Sequence, residues 1–311
     1  MPARSRSSAG AKIVRRRLAD GTVKEYRYPK GRAQRPARFT ADSLHALLAA
    51  FRRSPELAAK AEATRRTYAI YLRELDAIGD ARAADLRRRE LLDLRDAIAA
   101  ARGVGAATGF QRAASAVFAW AVDRGWLETH PLARAKMLPG GHLPAWSESD
   151  AATALDRLPE PFRRVAVLGI YTGQRRGDLL AMTWGQYDGT IIRLRQQKTN
   201  EPLVLPVHPT LRAELEAWKR DRQAAVILTS PTGRPWTPAH LSREMTRQLR
   251  KLGLPAITLH GTRKLTAARL AEAGCTEHQI AAVTGHRSLS MIQLYTASAS
   301  QRRLAESAVE L

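Results

Sequence analysis

The residues of this chain best suited to chemistry lie close together near its C-terminal end. In the stretch Leu259 to Gln301, His260 and Arg263 are three apart, His286 follows Thr284-Gly285, and Tyr295 comes nine residues later. A tyrosine is a weak nucleophile at neutral pH, because its unperturbed pKa is about 10. Cationic and hydrogen-bonding neighbours lower that barrier. His, Arg, His and Tyr on consecutive short helices are suited to attack an anionic centre, and a phosphodiester is the obvious one. Upstream, Thr172-Gly173-Gln174-Arg175 sets an arginine at a helix start. There its guanidinium and the nearby backbone N–H groups could face one anion, with Asp178 one helical turn on to orient the region. Taken singly, each of these is an ordinary packing or surface residue; the ordered set is what points to chemistry.

Composition narrows the partner. Lys plus Arg number 51 against 29 Asp plus Glu, a formal charge of +22, and such an excess points to a polyanion, with nucleic acid the default. The 311 residues, 44% of them hydrophobic, suffice for two domains with sizeable cores. The single cysteine, Cys275, can form neither an internal disulfide nor a zinc cluster, which fits a reducing compartment. The opening MPARSRSSAG has no apolar core of a signal peptide. Apolar runs such as Val165 to Tyr171 are too short to span a bilayer. The expectation is a soluble, cytoplasmic, nucleoid-associated protein with no membrane partner.

Four stretches must position the reactive residues. Residues 1–39 are basic; KIVRRRL and TVKEYRY flank Asp20-Gly21, a hairpin signal. Two readings stand, a small basic hairpin that touches DNA and a disordered basic arm. Residues 40–130 read as an all-α domain. Thr40 is the expected cap of a helix through DSLHALLAAFRR, and a long helix is expected from Ala58 to Ile78 with Tyr68, Tyr71, Leu72 and Leu75 on one face. ADLRRRELLDLRDAIAAAR supplies another. A last helix, Ala107 to Trp126, carries Phe110, Ala114, Phe118, Ala119 and Val122 as its apolar stripe. Arg65, Arg66, Arg73, Arg87 to Arg89 and Arg112 fall on outer faces, as phosphate contacts or as solvated surface. Residues 131–145, with Pro131, Pro139, Gly140, Gly141 and Pro144, read as a linker. Residues 146–311 read as helices around a small sheet: β-like runs Thr190 to Leu194 and Leu203 to Val207 flank QQKTNEP, Ala225 to Leu228 is a further strand candidate, and helical patterns include Pro238 to Leu252, His260 to Ala273, Thr276 to Thr284 and Ser288 to Tyr295. The fold class is mainly α with a small antiparallel sheet, preceded by an all-α domain.

At this point the chain resembles the tyrosine recombinases of the phage integrase type. Thr172 to Leu179 is similar to the family's first arginine box, Gln197-Lys198-Thr199 on a hairpin to its lysine segment, and His260-Gly261-Thr262-Arg263 to its His-x-x-Arg box. Thr284-Gly285-His286 followed by Tyr295 is similar to its last histidine and nucleophile. The likeness spans roughly residues 40–300, with four boxes in order. Members often carry His where Lys264 stands, Asp-Leu where Gly261-Thr262 stand, and an apolar residue at Gln174; none of these departures removes a catalytic side chain. Arg176 is a neighbour that could compete with Arg175.

The resemblance implies the following division of labour. Tyr295 attacks a scissile phosphate to give a 3′-phosphotyrosyl link. Arg175 and Arg263 hold the non-bridging oxygens, and Lys198 protonates the leaving 5′-oxygen. His260 assists proton transfer, His286 hydrogen-bonds the phosphate, and Asp178 supports the site from behind. It further implies no cofactor, no metal and no ATP, since a covalent intermediate conserves the bond energy and no carboxylate cluster suited to Mg²⁺ stands out. The implied partners are double-stranded DNA gripped by the two domains, a homotetramer in the synaptic complex, with the helix expected over Ala299 to Ala308 docked in cis or on a neighbour, and an optional accessory DNA-bending protein. Two rivals share part of this pattern. A DNA-binding regulator without catalysis explains the charge but does not require Tyr295, Lys198 and both arginines. A type IB topoisomerase shares the chemistry but relaxes supercoils without site choice or synapsis, and the separate helical domain and basic N-terminal hairpin favour the recombinase.

Overall fold

Short polar side chains cap the first two helices of the chain. The computed structural model describes the backbone of residues 12–17 and 23–28, residues 40–288 other than 142 and 223, and residues 292, 293 and 309. The chain divides into two compact units, residues 1–140 and 141–311. In the first, β1 (Lys12–Arg17) and β2 (Val23–Tyr28) pair antiparallel, with Lys12 opposite Tyr28 and Arg17 opposite Val23. The expected Asp20-Gly21 turn lies outside the described residues.

Helix α1 (Leu44–Arg52) is capped by Ser43, whose Oγ accepts from Ala46 N at 3.2 Å. The expected cap, Thr40, does another job: its carbonyl accepts from Ser43 N at 3.0 Å and from Ser43 Oγ at 2.8 Å, closing the turn that leads in. The continuous helix expected over 58–78 is two pieces, α2 (Pro55–Ala58) and α3 (Glu62–Asp76). Ser54 caps α2 with Pro55 in its first turn, which starts a helix early. Ala61, in extended backbone, then starts the second. Helices α4 (Arg88–Arg102) and α5 (Val104–Asp123) join at Gly103, whose φ of 86° suits glycine alone.

Leu44, Leu48, Phe51, Leu72, Leu75 and Leu91 pack with Phe110, Ala114, Val117, Phe118 and Ala121 into one core. That α5 seam recurs at spacings of three and four. Ala119, expected on it, is exposed, and Val122 is half-buried; Val117 and Ala121 fill their places. The arginines expected on outer faces, Arg65, Arg66, Arg73, Arg87 to Arg89 and Arg112, are all exposed.

The second unit opens with α6 (Glu148–Arg157), capped by Ser147, followed by α7 (Glu160–Thr172) and α8 (Arg176–Ala181). Strands β3 (Ile191–Arg195) and β4 (Pro202–Pro206) pair antiparallel with Ile192 opposite Leu205. Helices α9 (Pro209–Arg220), α10 (Pro238–Lys251), α11 (His260–Glu272) and α12 (Glu277–Thr284) follow. Ala225 to Leu228 is not a strand. Ala225 O accepts from Trp184 N and Ile227 N donates to Met182 O, both at 2.9 Å, and two bonds at one bridge do not make a ladder. Trp146, Phe162, Leu168, Leu215, Trp218 and Met245 lie in one core that α7 crosses. The helices expected over 288–295 and 299–308 fall largely outside the described residues, but Ile292 is fully buried in a small cluster with Ala267, Ala271 and Ile280. The protein is thus mainly α-helical, with a two-stranded antiparallel sheet in the second unit. No described helix is long and apolar enough to cross a membrane.

Candidate active site

Four helix ends and one hairpin turn meet in the second unit. Helix α7 stops at Gly173 in the left-handed region, φ 62°, and the chain turns so that Arg175 is the residue just before α8. The Arg175 side chain is half-buried, and its Nη1 donates to Gln196 Oε1 at 2.7 Å. Its neighbour Arg176 is exposed and donates to Ser242 Oγ on α10. The two arginines therefore have different partners.

Asp178 is buried on α8, and its Oδ1 accepts from Gln197 N at 2.8 Å. That bond fixes the start of the β3–β4 turn, in which Asn200 takes a φ of 58° and Lys198 stands exposed. On α11, His260 is the first residue and Arg263 lies one turn later. Arg263 is 1% exposed; its Nη1 donates to Gly173 O at 2.9 Å and to Thr284 O. Burying a guanidinium this deeply requires such acceptors.

Helix α12 ends at Gly285 with φ 70°, and a Cβ there would fall 2.4 Å from Gln196 Nε2. Only glycine meets both conditions. His286 comes next and is half-buried. Its Nε2 accepts from Arg263 Nε at 3.3 Å, and its Nδ1 lies 2.7 Å from Thr284 Oγ1. The Thr284 hydroxyl proton goes to Ile280 O at 2.6 Å, so the imidazole proton sits on Nδ1 and points at Thr284.

Burial first, then the charges of Arg263 and Arg175 and the neighbouring His260, hold His286 down at a pKa of about 3. His260 is also held below the usual imidazole range, first by the crowding around it although part of its ring is open to solvent, then by Arg263, Lys264, Arg175 and Lys198. Both imidazoles are therefore neutral at pH 7. Arg175, Lys198, His260, Arg263 and His286 are thus brought to one locus, with Asp178 beneath the turn. Tyr295 lies outside the described residues.

The departures at Gly261, Thr262 and Lys264 form one packing unit. A Cβ at Gly261 would lie 2.5 Å from Trp146 Cδ1. Trp146 is 1% exposed, and its Nε1 donates to Thr258 O at 2.7 Å. Thr262 lies against Gly169, and Lys264 Nζ donates to Leu143 O. Segment 143–146 is thereby seated on the first turn of α11. Beside Arg175 and His260, a cavity of about 460 Å³ is walled also by Arg176, Ser242 and Thr246 of the adjoining helices. Beyond it, α10 presents Ser242, Arg243, Thr246, Arg247 and Arg250 to an open groove.

Sequence reasoning missed Gln196, Thr284, Trp146 and this face of α10. The signal for Gln196 was present: Ile192 and Leu194 point inward, and period-two alternation puts Gln196 inward too.

A buried Arg263, a half-buried Arg175, two histidines and a lysine turn thus converge on a helical scaffold. The model of the phage integrase family matches residues 150–302. Tyrosine recombinase XerC of Mycobacterium tuberculosis (strain ATCC 25177 / H37Ra) is 31% identical over 261 residues, covering 75% of this chain and 87% of that protein. A lambda integrase fragment, residues 75–356, solved as a dimer bound to a COC′ core site, superposes with a TM-score of 0.71 at 21% identity, covering 80% of this chain and 97% of that one. The lambda integrase tetramer bound to a Holliday junction gives 0.71 at 21%, covering 81% and 77%. The chain belongs to the phage integrase family of tyrosine recombinases and is an enzyme of site-specific DNA recombination.

Proposed function

We propose that this recombinase cleaves and rejoins DNA strands through a 3′-phosphotyrosyl intermediate formed on Tyr295, with neither metal nor ATP. The observation that carries the reading is the convergence of Arg175, Arg263, His260 and His286 around one locus with the Lys198 turn beside it. Arg175 and Arg263 meet the non-bridging oxygens. Preorganised donors of this kind are each worth about 10²–10³ in rate. Neutral His260 accepts the proton of the Tyr295 hydroxyl. Lys198 protonates the 5′-oxygen as it leaves, and the covalent link keeps the phosphate activated for the reverse attack. His286 donates to the phosphate from Nε2 once the ring takes its other tautomer and the proton leaves Nδ1, since Nε2 is the nitrogen that otherwise accepts from Arg263 Nε. Asp178 holds the lysine turn in register through Gln197 N.

The helical segment 40–130 binds core-site DNA, residues 131–145 link it to the catalytic segment 146–311, and α10 meets the duplex with its polar and basic face. That face, Ser242, Arg243, Thr246, Arg247 and Arg250, combines hydroxyls and guanidinium groups suited to base edges and phosphates. Two DNA sites are brought together by four copies of the chain, in the cytoplasm and on the nucleoid, with an accessory DNA-bending protein where a site requires one.

Covalent capture from a pool of nicked duplexes of randomised sequence supplies a cleavable core site and tests the reading at once. Full-length protein is expected to yield an SDS-resistant protein–DNA adduct, and Tyr295→Phe to bind the same duplex with unchanged affinity and yield none. An adduct that persists in Tyr295→Phe removes Tyr295 from the reaction. Relaxation of a plasmid lacking the captured site would point instead to topoisomerase activity.

A further inference from the structure

Two buried glutamines tie the separate parts of the site together. Gln174 and Gln196 are 2% and 0% exposed. Gln196 Oε1 accepts from Arg175 Nη1 at 2.7 Å and from Thr199 Oγ1, next to Lys198, at 2.9 Å. Gln196 Nε2 donates to Gln174 Oε1 at 2.7 Å and to Thr284 O at 2.9 Å. Gln174 Nε2 in turn donates to Thr172 O at 2.9 Å and to Val283 O at 2.8 Å. Thr284 O is the carbonyl that also accepts from Arg263.

The geometry points to Gln174 and Gln196 as a positioning pair that keeps Arg175 aimed and fully charged, keyed to the Arg263–His286 segment and to the Lys198 turn; the inference rests on the phosphotyrosyl reading above. The orientation of both amides is forced. Gln174 faces two carbonyls with its nitrogen, so its oxygen must face Gln196. Gln196 must then present its nitrogen to Gln174 and Thr284 O, which leaves its oxygen for Arg175. All four hydrogen-bonding positions of the Gln196 amide are used.

The acceptor is also neutral. A carboxylate at this position would hold Arg175 as well, but as an ion pair that cancels the charge meant for the phosphate. An amide fixes the guanidinium and leaves its charge unspent. Gly285 belongs to the same device, because a Cβ there would displace the Gln196 amide. Gln174 is the strut that makes a buried Gln196 satisfiable.

The test separates positioning from simple stability. The captured core duplex is prepared with an ordinary scissile phosphodiester or with a methylphosphonate, whose uncharged phosphorus centre gives an arginine no anion to stabilise. Single-turnover cleavage of both is measured for the full-length protein and for Gln196→Met, Gln174→Met and the double variant. Gln196→Met is expected to slow the phosphodiester about 100-fold and the methylphosphonate about 10-fold or less. Gln174→Met is expected to shift the ratio in the same direction, and the double variant to be no slower than Gln196→Met, since the two act as one unit. Gln196→Glu, nearly isosteric, is expected to be slower than Gln196→Met on the phosphodiester. Where Gln196→Met does not fold, Gln174→Met and Gln196→Glu carry the same comparison. Equal slowing on both substrates, or none, overturns the pair as positioning residues. A lack of covalent adduct with the unsubstituted protein overturns the phosphotyrosyl reading and this inference with it; an adduct with an unchanged ratio overturns this inference alone.

Discussion

His286 sits between a guanidinium and a hydroxyl, and those contacts decide where its proton is. The neutral ring accepts from Arg263 through Nε2 and faces Thr284 through Nδ1. Burial disfavours a charged ring, and protonation would also set a cation against Arg263, so its pKa falls to about 3. An unfolded chain binds that proton near pH 6.5. Between about pH 3 and 6.5 the unfolded state therefore holds more protons, so stability rises with pH through this window and levels above it. We expect the urea midpoint to fall as pH drops from 7 to 5, a range above most carboxylate titration, and to fall less in His286→Gln. Equal slopes in the two proteins would show that His286 is not held neutral. Lys198 poses a separate question at the same scale. A 5′-bridging phosphorothiolate expels a thiolate that needs no proton, so Lys198→Ala is expected to be about 10²-fold or more slow on the ordinary duplex and largely rescued on the sulfur one. Equal defects on both substrates would remove Lys198 as the acid.

At the scale of elements, the ends of helices do the positioning, and some of those ends were legible in the sequence. Thr172-Gly173 and Thr284-Gly285 announce helix stops because a left-handed residue there must be glycine. The QQKTNEP hairpin was legible from β-like runs on either side of it. The cap of α1 was misplaced by three residues, since both Thr40 and Ser43 are good caps and only tertiary bonding decides between them. The break between α2 and α3 needed Ser54 and Pro55 to be weighed against a strong helical pattern. Gly261 was legible only as a departure, because its reason lies 115 positions away in Trp146. That contact gives a prediction. Gly261→Ala places a methyl into the Trp146 ring and should destabilise the protein by about 1–3 kcal/mol. Trp146→Leu should lower stability alone, yet the double variant should lose less than the two single losses together. Strict additivity in denaturant unfolding would mean that the ring and α11 do not press on each other.

At the scale of the whole molecule, charge is distributed unevenly along the chain. Residues 1–39 carry twelve Lys and Arg against two acids, and the members of the candidate site all lie beyond Gly173. The strands β1 and β2 pair over six positions, so the hairpin reading has a backbone to rest on, while the side chains that would meet DNA lie outside the described residues. If this basic segment touches phosphates, each contact releases condensed counterions, and its loss lowers the slope of log K against log salt by about 0.9. Deleting residues 1–39 should therefore flatten the salt dependence of DNA affinity by several such steps. Cleavage of the captured core duplex at low salt should survive, because the catalytic constellation is intact, and recombination between full sites should weaken. Gly21→Val, which disfavours the positive φ that a tight Asp-Gly turn uses, should reproduce part of the change by loosening the hairpin. A salt titration of the full-length, deleted and Gly21→Val proteins on one duplex checks all three statements. An unchanged slope after deletion would mean that the segment makes no phosphate contact and that the net charge of +22 acts on DNA through the two helical units instead.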